Sequence, residues 1–337
     1  MKKMLAMIHA RNMEFVRDRG TLFWNILFPF FLVFGFAFAF SGQEDAQYMV
    51  GYYGEPPADF RFLDSEHLDF ISYDSVETPI SRLRHHQIDF FINFSDNEYY
   101  VSQEAPASRV VEELFRSSRL NGEAQGVPGF EQQTVSGRPI RYVDWLVPGV
   151  IGMNMMFSSL FGVGFVLVRY RKNGVLKRLK ATPVKPVEFV SAQVISRLII
   201  VMITSVFVFT ASNFFLNFLM LGSYITLILI TFLSILCLIS FGLIFAARIK
   251  SEELASGVMN LALWPMIVFS GVFFSLEGTP EIMQRVSYIF PLTHFIQAAR
   301  AVMLDGAGLL EIAPNLAVLG GETVLFVLIA SALFKWE

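Results

Sequence analysis

One cysteine, Cys237, stands in 337 residues, and lysine is missing altogether between positions 42 and 142. A single cysteine excludes a disulfide framework or a cysteine-built metal site within one chain. Inside an apolar run it reads as a small packing residue. Charge is scarce as well, at 16% of residues, where soluble domains carry about a quarter. No GxxxxGKS/T phosphate loop, no dinucleotide-binding glycine fingerprint and no HExxH occurs. The apolar segments hold neither paired carboxylates nor a nucleophile beside a base. His85-His86 is the one pair that invites a metal reading. Helical neighbours point about 100° apart, so a solvated surface pair is the better account. An enzyme is therefore not expected, and energy-driven work would need a nucleotide bound on another subunit.

What is abundant is apolar surface: 54% hydrophobic residues, 36 phenylalanines and a mean hydropathy of +0.52. Runs of about 20 apolar residues are long enough to cross a bilayer as helices. Six are expected, at Thr21–Ser41, Trp145–Val168, Phe189–Phe215, Ser223–Ala247, Ser256–Ser275 and Ile312–Phe334. Lys2-Lys3 leads into a charged helix rather than a short apolar core, so no cleaved signal peptide is expected. All eight lysines fall in segments that a six-span chain with its N-terminus inside assigns to the cytoplasm, as the positive-inside rule requires. The net charge of −3 matters less than this distribution, and nothing points to nucleic acid.

The spacing predicts an amphipathic interfacial helix over residues 1–20. Met1, Met4, Leu5, Ile8, Phe15 and Val16 lie on one face, with Lys3, Glu14, Arg17 and Asp18 opposite. After the first span (21–41), residues 42–142 form an acidic soluble insert of domain size. Strands are expected at 47–53, 69–73, 88–94 and 99–102, helices at 76–86 and 108–120, and an irregular return over 126–141. Such alternation implies a small α/β domain outside the membrane. Residues 143–337 hold the other five spans. Within them, 277–310 reads as a helix–break–helix that enters the outer leaflet and returns, with Pro291 at the break. A full span there would bury Arg300. No inverted repeat of the secondary-transporter kind is visible.

Seven of the 26 lysines and arginines crowd between Arg169 and Lys185. Gly174 opens a short helix with Val175, Leu176 and Leu179 in an apolar stripe beside Lys177, Arg178 and Lys180, and Thr182-Pro183 ends it. This is a two-faced knob suited to a groove on a cytoplasmic partner, although a topology anchor would be basic too. The segment NGVLKRLKATPV resembles the loop between the second and third spans of ABC-2 type permeases, the membrane subunits of ATP-binding-cassette exporters. Asp144-Trp145-Leu146-Val147-Pro148-Gly149 resembles that family's entry into the second span, and GVFFSLEGTPEIMQRVSYIFPLTHFIQAAR (271–300) its segment before the last span. The order of elements matches along the whole chain. Two departures stand out: Arg171-Lys172-Asn173-Gly174-Val175 replaces a common Glu-x-Gly-Thr, and His294 occupies an often aromatic position.

The resemblance implies a polytopic α-helical membrane protein with six transmembrane helices, an N-terminal elbow helix, a small α/β extracytoplasmic domain and a re-entrant helix pair. It implies a coupling helix within 171–186, with Gly174, Val175, Leu176, Arg178, Leu179, Thr182 and Pro183 seated on a cytoplasmic ATPase that carries ATP and Mg. Leu176 and Leu179 would be the docking face, and the elbow helix would share the contact. It further implies a second permease subunit, homologous or identical, and the second and fifth spans at a central path. Candidate path residues are Met153, Asn154, Met156 and Phe157, then Met259, Asn260 and Leu263. Methionine and phenylalanine make adaptable walls, though ordinary helix packing makes the same stripes. Glu322 is the one carboxylate well inside a span, and Arg197 is its expected partner. The implied function is export of a lipophilic or amphipathic compound (drug, lipid or lipid-like) across a bacterial inner membrane, with both termini cytoplasmic. Alternatives are a membrane regulator whose outer domain binds a partner, or an exporter of lipid-linked glycan.

Overall fold

The structure, a computed structural model, describes residues 2–39, 48–57, 60–65, 68–85, 87–102, 105–121, 130–136, 141–182, 184–249, 251–274, 276 and 279–333. It divides into two compact units, Phe40–Arg141 and the remainder. In the smaller unit, β1 (Tyr48–Tyr53), β2 (Leu68–Ser72), β3 (Phe90–Asn93), β4 (Glu98–Ser102) and β5 (Glu131–Val135) form one sheet ordered β2-β1-β3-β4-β5. Only β3 and β4 pair antiparallel. The two-residue period of β3 sends Phe90 and Ile92 to one face and Phe91 to the other. Phe90 and Ile92 meet Phe62 and Phe115, the latter from α4 (Pro106–Asn121). Phe91 meets Leu83 of α3 (Glu77–Arg84). The irregular return expected over 126–141 is corrected at β5. Glu131-Gln132-Gln133-Thr134 is polar and exposed, so it shows no apolar alternation. Its parallel pairing with β4 rests on main-chain bonds at a sheet edge.

The larger unit is helical. α1 (Lys2–Arg17) and α2 (Arg19–Ala39) are separated at Asp18. The Asp18 carboxylate accepts from the Thr21 amide at 3.1 Å and the Thr21 hydroxyl at 2.6 Å, capping the second helix as short acidic side chains do. α5 (Tyr142–Leu160) runs through a π-helical turn, Phe161–Phe165, into α6 (Val166–Lys172); α7 (Val175–Lys180) follows. Then come α8 (Pro186–Leu216), α9 (Tyr224–Arg248), α10 (Glu252–Phe269), α11 (Glu281–Ser287), α12 (Pro291–Leu304) and α13 (Ala313–Leu333). Among the described residues, five helical runs are long and apolar enough to cross a membrane: Arg19–Phe36, Tyr142–Lys172, Val187–Leu216, Tyr224–Arg248 and Ala313–Leu333. The fifth expected run, 256–275, is corrected: the helix begins earlier, at Glu252, and stops at Phe269. A Ser251 side-chain cap sets its start, and a turn with Gly271 at φ +69° ends it.

α9 is the central post, packing against α13, α12, α5 and α8. α5 approaches the turn after α10 so closely that a β-carbon on Gly149 would stand 2.5 Å from the Val272 carbonyl oxygen. Only glycine fits there. Pro291 opens α12, where a first-turn proline loses no helical bond. Arg300 closes the same helix. Its guanidinium donates to the carbonyls of Trp145 (3.1 Å) and Gly271 (2.8 Å) and lies 3.5 Å over the Trp145 ring. This ties α12 to the start of α5 and to the turn after α10. His294 joins α12 to its surroundings, 2.9 Å from the Tyr288 carbonyl and 3.1 Å from the Asn315 side chain, which accounts for a polar ring at that position.

On α1, part of the expected apolar face packs inward and part stays on the outside. Phe15 is buried, but Leu5 and Val16 are 58% and 59% exposed, and the inward stripe includes Arg11 and Asn12. α1 packs on α8, where Ser196 donates to Asn12 at 2.5 Å. Glu14 accepts from Arg11 at 2.6 Å and from the Tyr170 hydroxyl at 2.7 Å. Partial burial would push the Glu14 carboxyl up, but these two bonds outweigh it and hold it below the ordinary value.

Arg300→Ala should destabilise the purified protein by the roughly 1–3 kcal/mol that unpaired buried carbonyls cost, read as a lower thermal midpoint. Arg300→Lys should recover only part, because an ammonium cannot fork between two carbonyls and stack on an indole. Since the Glu14 carboxyl is held low, its contribution is present above the ordinary carboxylate range and fades as pH falls through the folded value. Glu14→Gln should therefore speed amide exchange across residues 2–17 at neutral pH. The wild type should lose the same protection, relative to intrinsic exchange at each pH, only as pH falls below the ordinary carboxylate range. Equal rates at neutral pH would show that this link does not hold α1.

Candidate functional site

The basic loop is held on three sides. Tyr170, at the end of α6, bonds Glu14 of α1. Arg171 donates to the carbonyls of Ala246 (3.0 Å), Ala247 (3.3 Å) and Ile249 (2.6 Å). Those carbonyls belong to the end of α9, where helical acceptors run out of amide partners and the helix dipole favours a cation. Lys172 lies 3.6 Å from Glu252 in the first turn of α10, a favourable place for the carboxylate. Asn173 and Gly174 then reverse the chain, with Gly174 at φ +67°, and α7 begins. Charged residues that the sequence marks only as a basic cluster thus divide by role. Arg171 and Lys172 tie the end of α6 to the α9–α10 connection, while Lys177 and Arg178 on α7 are exposed.

The expected docking face needs correction. Leu176 is 1% exposed, so its side chain is spent on packing within the chain. Val175 and Gly174 are half-buried and Thr182 is exposed. Arg178 donates to the Asn173 carbonyl at 3.4 Å, across the turn. Of Leu179 only the backbone is described, and Pro183 lies outside the described residues. Among the described side chains, those exposed on α7 and just after it include Lys177, Arg178 and Thr182, which are charged or polar.

Candidate path residues do not converge. Met156, Met259 and Leu263 are at most 1% exposed. Met259 packs against Val168 and Ala255, joining α10 to the second span as an ordinary core side chain. Met153 is buried as well. Asn260 is turned back onto its own helix, donating to the Ser256 carbonyl at 2.9 Å. The outward side of α10 carries instead Leu261, Trp264 and Val268, a stripe at spacings of three and four that the sequence reading passed over.

Asn154 and Phe157 do meet, at a cavity of about 490 Å³ between α1, α2, α5 and the π turn. Arg197 of α8 reaches the same cavity and donates to the Ser158 carbonyl and hydroxyl. The expected pairing with Glu322 is thus overturned. Glu322 accepts instead from the Cys237 thiol at 3.6 Å, between α13 and α9. Depth along two helices was the only basis for pairing them, and depth does not fix which way a side chain points. The π turn itself, at Phe161-Gly162-Val163-Gly164-Phe165, was missed. Its two glycines in a span were the available signal. Among the described residues no group of three or more metal-ligating side chains occurs.

The model of the ABC-2 type transporter family matches residues 91–304. "Probable multidrug ABC transporter permease YbhS" of Escherichia coli (strain K12) is 24% identical over 191 residues, 56% of this chain and 48% of that protein. "Inner membrane transport permease YhhJ" of the same strain is 25% identical over 183 residues, 54% of this chain and 49% of its own length. "Daunorubicin resistance ABC transporter permease protein DrrB1" of Streptomyces coeruleorubidus is 26% identical over 205 residues, 58% and 69% of the two chains. The chain spans about half the length of the first two relatives it matches. With a family model matched across more than half of its residues, the chain belongs to the ABC-2 type transporter family.

Proposed function

We propose that this chain is the membrane subunit of an ATP-driven exporter that moves lipophilic or amphipathic compounds out of the cytoplasm or the inner leaflet. The observation that carries the reading is a short helix, α7, bearing exposed Lys177 and Arg178 and directly following α6, whose last residues Arg171 and Lys172 reach the end of α9 and the start of α10. A separate ATPase subunit binds ATP and Mg and presses on α7. Arg171 and Lys172 pass the displacement to α9 and α10, and Tyr170 passes it through Glu14 to α1. The names of the relatives, multidrug and daunorubicin-resistance permeases, favour drug-like or lipid-like cargo.

In this reading the chain sits in a bacterial inner membrane with both termini cytoplasmic, and α10 makes a sixth crossing. The elbow helix α1 lies at the cytoplasmic interface, the α/β unit is extracytoplasmic, and α11–α12 is re-entrant. A second permease subunit completes the path, and the exposed stripe on α10 is a surface for it or for lipid. Glu322, bonded to a thiol, is structural rather than a proton relay.

The test is charge reversal at the exposed edge of α7, Lys177→Glu with Arg178→Glu. Both side chains are solvent-facing, so the variant should insert and melt like the wild type. Transport should fall roughly tenfold or more, the loss of about 1.4 kcal/mol of coupling. Stimulation of the ATPase by cargo should fall with it. Normal transport by this variant would make the loop a topology anchor only.

A further inference from the structure

Arg197 is 5% exposed and bonded only to neutral acceptors, the Ser158 carbonyl and the Ser158 hydroxyl at 2.8 Å. Its guanidinium also lies 5.7 Å over the Phe15 ring. No carboxylate of the described residues lies within ion-pair distance of it. The other charges lining the cavity have partners or lie apart: Arg11 takes Glu14 at 2.6 Å, Asp18 takes Thr21, and Arg169 lies over Phe165. Hydrogen bonds to neutral groups orient a buried guanidinium but do not cancel its charge, and an uncompensated charge inside a membrane calls for a counter-ion. The wall around it is aromatic, with Phe15, Phe157 and Phe161. Trp24 and Phe28 of α2, 61% and 39% exposed, form the lip. Tryptophan favours the headgroup level of a bilayer.

Gly162, in the π turn, makes the arrangement possible. A β-carbon there would overlap the Arg197 guanidinium. The turn thus offers a notch in which the cation lies, facing the cavity, while its Gly162 carbonyl accepts from Arg11 at 3.3 Å.

We propose that this cavity holds an anionic phospholipid, its phosphate paired with Arg197 and an acyl chain along the aromatic wall. The lipid is a resident of the fold, distinct from whatever the complex exports. The site does not depend on the export reading, since binding is measured without transport.

The experiment uses the protein purified with its ATPase subunit, stripped of lipid and titrated with phosphatidylglycerol, phosphatidylcholine or inorganic phosphate. Bound lipid is read by native mass spectrometry and by the shift in melting temperature. The wild type should prefer phosphatidylglycerol by roughly tenfold or more. Arg197→Gln should abolish the preference. Gly162→Ala keeps the charge but displaces the guanidinium, and should remove most of it; this variant decides if Arg197→Gln does not fold. Arg285→Gln, at an exposed ion pair in α11, should change nothing. Equal affinity for the two lipids, or a preference that survives both substitutions, would overturn the proposal. Displacement of phosphatidylglycerol by equimolar inorganic phosphate would assign the site to a free anion instead, and overturn the lipid.

Discussion

Arginine side chains hold the helical unit together by donating to main-chain carbonyls outside their own helices. Arg171 caps the end of α9, Arg197 holds the Ser158 carbonyl beside the π turn, and Arg300 bridges Trp145 and Gly271. Two of these contacts, at the end of α9 and at the turn after α10, sit where regular helix bonding stops. In a hydrocarbon setting no water is present to satisfy those acceptors, so every interruption of a helix must be met by protein. A planar guanidinium with five donors suits that need better than an ammonium. The interruptions that give this fold its shape (a turn after α10, a bulge in the second span, a sharp exit from α9) are thus stabilised by the few charges the apolar segments contain.

The same fastening explains how a small loop can act on a large helical body. α7 has six residues, too few to be stable alone. Its position comes from the end of α6, where Tyr170, Arg171 and Lys172 reach α1, α9 and α10 separately, and from burial of Leu176. In the proposed complex, a push on α7 is felt at once by three helices that are far apart in sequence. The α/β unit has its own aromatic core around Phe62, Phe90 and Phe115 and needs nothing from that mechanism to fold.

Much of the architecture was legible because it rests on local pattern. Long apolar runs, the break at Pro291, the alternation of strand and helix and the split at the basic loop all follow from periodicity, turn residues and charge. What escaped was decided by tertiary contact. β5 is polar and exposed, so only its pairing with β4 marks it as a strand. The π turn has the same apolar composition as the helix around it. Arg197 and Glu322 lie at similar depths, yet face different neighbours. Leu176 looked like a docking residue because an apolar side chain on a short basic helix can face either way, and here it faces inward. The site was therefore readable as a location but not as a set of contacts.

Whether α7 touches an ATPase subunit can be measured directly by placing a photo-crosslinking amino acid at position 178 and isolating the complex. The account predicts a covalent adduct between this chain and an ATP-binding-cassette subunit from position 178, and none from exposed position 74 in the α/β unit. Failure to form that adduct from position 178 in an otherwise active complex would contradict it.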